Sequence, residues 1–227
     1  MPFEDLPARL AAVRETIERA RARGGHGQAV TIVAVTKTYG PEAPLAAWDA
    51  GLHDVGENRV QEALSKMPLV APPLRWHLIG HLQRNKVKQL DGFHLVHAMD
   101  SARLADALAE HGMARGRPMD VLLQVNVSGE GTKGGYESLD VEAEGARLRS
   151  LPGLVVRGVM TMAPLDADAT MLRRVFEGAR RGRELLLAAG HPATQLSMGM
   201  SGDYEVAVEE GATLVRLGTV LFGARAA

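Results

Sequence analysis

Eight short apolar runs recur along this chain of 227 residues, and between them apolar side chains fall at helical spacing. The runs cover 31–37, 52–55, 74–79, 93–97, 119–127, 154–160, 194–197 and 213–217, with starts roughly 20 to 40 residues apart. The first, Thr31-Ile32-Val33-Ala34-Val35, is continuously apolar after its threonine rather than alternating, the pattern of a strand buried on both faces. Strands that alternate with helices build a parallel sheet, and eight strand–helix units is the count at which such a sheet closes on itself. The expected fold is α/β, a single (β/α)₈ TIM barrel, with an open doubly wound sheet as the alternative. An extra N-terminal helix is expected at 6–23, where Leu6, Leu10, Val13, Ile17 and Ala20 share a face and Gly24-Gly25 ends the pattern. Further helices are expected at 42–50, through Gln61 and Leu64, at 83–90, 101–111 with Ser101 as cap, 138–150, 169–189 and 201–211, then a short terminal one. No composition shift, linker or internal repeat divides the chain, so residues 1–227 are expected to be one domain.

Charge and composition remove several classes of function. With 26 basic and 27 acidic side chains there is no whole-protein attraction to nucleic acid or to anionic membranes. No run approaches the roughly 20 apolar residues of a membrane helix, and the start lacks a signal-peptide pattern, so a cytoplasmic protein is expected. The absence of cysteine excludes disulfides, thiolate metal sites and a cysteine nucleophile.

The first strand stops at a lysine, Lys37, where the carboxyl ends of parallel strands open onto the usual ligand crevice. Lysines at strand ends ordinarily reach for water. Apolar walls would instead favour the neutral amine, a nucleophile for carbonyl groups. In such barrels phosphate is often held by the loops after the seventh and eighth strands with a helix N-terminus. Those positions carry Ser197-Met198-Gly199-Met200-Ser201-Gly202-Asp203, where two glycines would let backbone approach a ligand and Ser201 would open a helix, and Arg216-Leu217-Gly218-Thr219. An aldehyde-seeking lysine beside an anion cradle points to a phosphorylated aldehyde, and pyridoxal 5′-phosphate fits that description.

Other motifs read as structural. Gly129-Glu130-Gly131-Thr132-Lys133-Gly134 has the G-x-G-x-x-G pattern, but it follows the fifth strand and no acidic residue ends the next one, so a dinucleotide site is rejected. His77 and His81 straddle a strand end with no glutamate between them, a poor zinc pair. Arg84, Lys86 and Lys88 lack interleaved aromatics and read as a solvated basic face.

Five segments together resemble the YggS/PROSC family of pyridoxal phosphate homeostasis proteins. They are Ala34 to Thr38, Gly56 to Glu62, Trp76 to Lys86, Ser197 to Ser201, and Val215 to Thr219 continuing to Phe222-Gly223. The resemblance implies a barrel like the N-terminal domain of alanine racemase, with the cofactor joined to Lys37 as an internal aldimine. By the same match Ser201, Gly218 and Thr219 would hold the phosphate and Arg216 would face the pyridine nitrogen. Asn58, His77, Ser197 and Met198 would complete the cofactor pocket. Gly202 and Thr36 stand where many relatives carry a polar residue and a serine. The implied function is a non-catalytic protein that holds pyridoxal phosphate and contributes to its homeostasis or delivery, with pyridoxal-phosphate-dependent apoenzymes as partners and a monomer as the expected state. The rival is an amino-acid racemase using the same cofactor, which needs a second acid–base group. In the racemase that group is a tyrosine of a C-terminal domain, and Tyr39, Tyr136 and Tyr204 stand in no motif that would supply it. A phosphosugar enzyme would account for the phosphate loops but not for Lys37.

Overall fold

The computed structural model describes residues 3–129 and 134–223. Eight parallel strands form a closed barrel: β1 (Thr31–Val35), β2 (Asp54–Glu57), β3 (Arg75–Leu78), β4 (Leu95–Met99), β5 (Met119–Asn126), β6 (Leu154–Met160), β7 (Gln195–Ser197) and β8 (Leu214–Leu217). Each pairs with the next, and β8 returns to β1 with Thr31 opposite Leu214 and Ala34 opposite Leu217. Closure leaves the barrel no free edge. A two-residue strand, Tyr136–Glu137, pairs with the end of β5 and was not legible as a strand.

The helices are α1 (Leu6–Gly24), α2 (Glu42–Asp49), α3 (Val60–Lys66), α4 (Ala102–Ala114), α5 (Val141–Leu148), α6 (Ala169–Ala188), α7 (Tyr204–Glu209) and α8 (Thr219–Phe222). The predicted face of α1, Leu6, Leu10, Val13, Ile17 and Ala20, is buried, and the helix packs on α7 and α8. Burying one such large side chain is worth about 1.5–3 kcal/mol. Among the described residues no helix is long and apolar enough to cross a membrane.

Several boundaries differ from expectation for local reasons. The second strand starts two residues later than expected because Gly51, at φ 79°, ends α2 and returns the Leu52 N–H to the Ala47 carbonyl, 2.8 Å away. The helix expected at 83–90 is a 3₁₀ helix, Arg84–Gln89, because its buried side chains, Val87, then Leu90 and Phe93, recur every third residue. The helix expected at 201–211 begins only at Tyr204. Ser101 holds the N-cap position of α4, where its carbonyl, not its side chain, accepts hydrogen bonds. Positions 130–133 of the glycine-rich stretch lie outside the described residues.

The larger core lies between barrel and helices, and a smaller one of Val33, Val35, Ile79, Leu95, Ala98, Leu122, Met160 and Leu214 fills part of the barrel interior. The rest of that interior is polar, with His77, His97, Thr161, Ser197 and Arg216 all buried. This polarity is what a barrel of purely structural design would lack.

Candidate functional site

A cavity of about 840 Å³ opens at the carboxyl end of the barrel, and every strand or the loop after it contributes to its lining. Lys37, Asn58, Ser201, Arg216, Gly218 and Thr219 all line it. Val35, Ile79, Met162, Leu165 and Leu172 give it apolar walls. Six residues expected to act together are thus brought together. The volume lies in the range that encloses small cofactors, roughly 300–1,000 Å³.

Lys37 sits in the turn that leaves β1. Thr36 is fully buried and its carbonyl accepts the Tyr39 N–H at 3.2 Å, closing the turn. Thr38 adopts φ 69°, a left-handed conformation that is rare for a β-branched residue and costs on the order of 1–3 kcal/mol. The backbone beside the lysine is therefore strained and must be held by its surroundings.

The two anion loops are joined to each other. Ser201 Oγ accepts N–H bonds from Gly218 at 3.3 Å and Val220 at 3.4 Å, which leaves its O–H to donate. Ser201 does not open the helix as expected: Asp203 stands before α7, and its carboxylate accepts the Met200 N–H at 2.5 Å. Because α7 has six residues and α8 four, the hydroxyl residues Ser201 and Thr219 rather than a long helix dipole serve this part of the cavity. The glycine expectation also changes. A side chain on Gly202 would meet nothing within 4 Å, whereas Gly199, at φ 91°, is required because a Cβ would come within 2.7 Å of Ala207. Gly80 is needed for another close approach, since its Cβ would lie 2.4 Å from the Asn58 carbonyl oxygen and push two cavity loops apart.

Arg216 reaches the cavity from the barrel interior. Its guanidinium donates to Ser197 Oγ at 2.6 Å and to the Thr161 carbonyl at 3.0 Å. Burial pushes its pKa down to about 10, against the attraction of Asp203, so it stays cationic at neutral pH. From Ser197 a chain of hydrogen bonds crosses the barrel: Ser197 Oγ to His97 Nδ1 at 2.8 Å, His97 Nε2 to His77 Nδ1 at 2.8 Å, and His77 Nε2 to Asp54 Oδ1 at 2.9 Å. Arg75 closes it at the opposite end with two bonds to Asp54, 2.7 and 2.5 Å. Burial alone would raise the Asp54 carboxyl, but the hydrogen bonds from His77 and Arg75 outweigh it and hold that carboxyl well below the usual range. His97 is held well below its ordinary value by burial, then by its charged neighbours, and stays neutral.

Three expected pocket residues stand apart from this lining. His77 and Ser197 do not line the cavity but lie behind Arg216 in the buried chain, and Met198 packs in the core outside the barrel. The alternation of side chains along short strands explains the miss, since neighbours in one motif face opposite ways. Sequence reading passed over Asp100 and Gln124 and weighed His81 only as a zinc ligand, yet all three are on the cavity. His81 Nδ1 and Asp100 Oδ2 are 2.8 Å apart, and Gln124 donates to the Gly134 carbonyl at 2.5 Å. Asp100 was legible in principle, because it follows an apolar strand just as Lys37 follows the first. The three tyrosines sit elsewhere: Tyr39 stacks with Phe3 and Phe222, Tyr136 bonds Glu144 at 2.7 Å, and Tyr204 opens α7.

The donor set suits an aldehyde with a phosphate: one amine, two hydroxyls with neighbouring amides, and a buried guanidinium, around a volume of the right size. Comparison with known proteins points the same way. A profile described as alanine racemase, N-terminal domain, matches residues 8–226. The chain is 42% identical over 221 residues to the pyridoxal phosphate homeostasis protein of Aquifex aeolicus, covering 96% of this chain and 97% of that one. It is also 42% identical, over 224 residues, to the protein of that name from Pseudomonas aeruginosa, covering 98% and 95%. Among solved structures it superposes on PipY of Synechococcus elongatus PCC7942 with PLP bound, at TM-score 0.84 and 37% identity, covering 96% of this chain and 100% of that one. Against the same protein without PLP the TM-score is 0.87.

Proposed function

Because the chain belongs to the pyridoxal phosphate homeostasis proteins, within the alanine racemase N-terminal domain family, we propose that it binds pyridoxal 5′-phosphate in the barrel-mouth cavity and serves homeostasis of that cofactor. The observation that carries this reading is the meeting of Lys37, Arg216, Ser201 and Thr219 in one cavity. When bound, the cofactor supplies an aldehyde that condenses reversibly with an amine. Lys37 would provide that amine. Ser201, Gly218 and Thr219 would hold the phosphate, and Arg216 would face the ring nitrogen. A guanidinium has no acceptor, so it can only donate there and keeps that nitrogen unprotonated, which weakens the ring as an electron sink. Asn58 completes the near wall.

The role we assign is holding and delivery, not turnover. Racemisation needs a second acid–base group across the ring; among the described residues no tyrosine lines the cavity, and its His81 and Asp100 are bonded to each other. Apoenzymes that use the cofactor would be the recipients, with this chain acting as a monomeric, cytoplasmic single domain. Titration with pyridoxal phosphate should give a saturable visible absorption band, and alanine racemisation at saturating cofactor should stay at background. Racemisation lost on Lys37→Ala would reverse the assignment.

A further inference from the structure

Beneath the Lys37 turn lies a cluster of charges that the cavity does not contain. Lys66, at the end of α3, is buried with 4% exposure, and its Nζ has three acceptors: the Thr36 carbonyl at 2.9 Å, Glu57 Oε1 at 2.8 Å and Glu62 Oε1 at 2.9 Å. An ammonium has three N–H bonds, so the donor set is full. Glu57 Oε1 also accepts the Thr36 hydroxyl at 2.6 Å, and Glu62 Oε1 accepts the Thr38 N–H. Glu57 Oε2 is buried with no partner among the described residues, so all the bonding of that carboxyl is directed at Lys66 and Thr36. The two residues that flank Lys37 are thus fixed at three atoms: the Thr36 hydroxyl, the Thr36 carbonyl and the Thr38 amide.

A buried ion cluster is poor evidence of stabilisation, because desolvation offsets the attraction. It is better understood as a device for geometry. The turn it grips is the one where Thr38 takes a conformation its side chain disfavours, and such strain persists only where the surroundings impose it. We infer that Glu57, Glu62 and Lys66 are positioning residues that clamp the Thr36–Thr38 turn and so present the Lys37 amine to the cavity. The inference rests on the functional reading above and adds the part of the chain that prepares the reactive group.

The clamp grips the turn from the β2 side of β1, whereas the phosphate loops follow β7 and β8 on its other flank, and none of Glu57, Glu62 and Lys66 lines the cavity, so the clamp should govern covalent capture more than anion binding. The test uses two ligands. Pyridoxal phosphate reports capture, as the rate of the borohydride-trapped adduct on Lys37. Pyridoxine phosphate, with an alcohol in place of the aldehyde, reports binding alone. Glu62 is the safest site to change, since its side chain is 23% exposed. In Glu62→Ala the trapping rate should fall by roughly tenfold or more, as misplacement of a reacting group does. Affinity for pyridoxine phosphate should stay within about twofold, because Glu62 does not line the cavity and touches neither phosphate loop in its hydrogen bonds. Hydrogen exchange at the Thr38 amide should accelerate in step with the loss of trapping. Glu62→Gln, which keeps an acceptor for Thr38 but loses the charge, should fall between, and it serves as the test if the alanine variant fails to fold. Unchanged trapping in a folded variant, or equal weakening toward both ligands, would overturn the inference. A wild-type protein with no adduct on Lys37 would overturn the functional reading and this one with it.

Discussion

A guanidinium buried beside a hydroxyl and a carbonyl, as Arg216 is, has its orientation set by whatever orients those groups. Ser197 is oriented by His97, and His97 by His77 and Asp54. Burial keeps His97 neutral, so it donates at one ring nitrogen and accepts at the other, linking Ser197 to His77. Ring ¹⁵N shifts should report a neutral His97 at neutral pH, and an imidazolium there would contradict this chain. The same depressed pKa has a stability consequence. Unfolded His97 takes up a proton near pH 6.5 and the folded one does not, so the unfolded state binds more protons and stability falls as pH drops below that value. Lowering the pH from 7 to 5 should therefore lower the urea midpoint of the wild type more than that of His97→Gln, and an equal drop in both would contradict it. Asp54 acts in the same direction lower down, from about pH 3.9. This chain of bonds was not legible in the sequence, where its residues stand on five separate strands.

Among the elements, the strands were readable because their apolar runs are bounded by turn residues, and the misread ends are those where polar groups are buried in pairs. Glu57 ends β2 as a buried strand residue only because Lys66 and Thr36 satisfy it. The helix after β7 was misread at its start because Ser201 looks like a cap, while its hydroxyl instead stitches the β7 and β8 loops together. That stitch holds the Ser201 hydroxyl, with its O–H left to donate, beside the Gly218–Thr219 loop on the cavity, which suits an anion. Charge-assisted hydrogen bonds are worth roughly 1.5–3 kcal/mol each, so pyridoxal should bind at least about a hundredfold more weakly than its phosphate. Ser201→Ala with Thr219→Val should erode that preference while leaving pyridoxal binding nearly constant. Equal loss of both ligands, seen by equilibrium titration, would place the phosphate elsewhere.

Over the whole molecule the period of strands and helices specified the closed barrel, and the carboxyl ends of its strands specified where a ligand enters. Six of the nine expected site residues line the cavity because strand ends in a barrel converge by topology, whatever their separation in sequence. The other three lie behind or beside that lining, because strand alternation decides which face a side chain takes, and a three-residue strand such as β7 gives too short a pattern to assign it. The central claim is that this convergence makes Lys37 the residue that captures the cofactor. Borohydride reduction of the protein with pyridoxal phosphate, followed by peptide mass mapping, tests it directly. The account predicts one modified peptide, carrying the cofactor on Lys37, and no such adduct in Lys37→Ala. A stoichiometric adduct on another lysine, or its persistence in the variant, would contradict it.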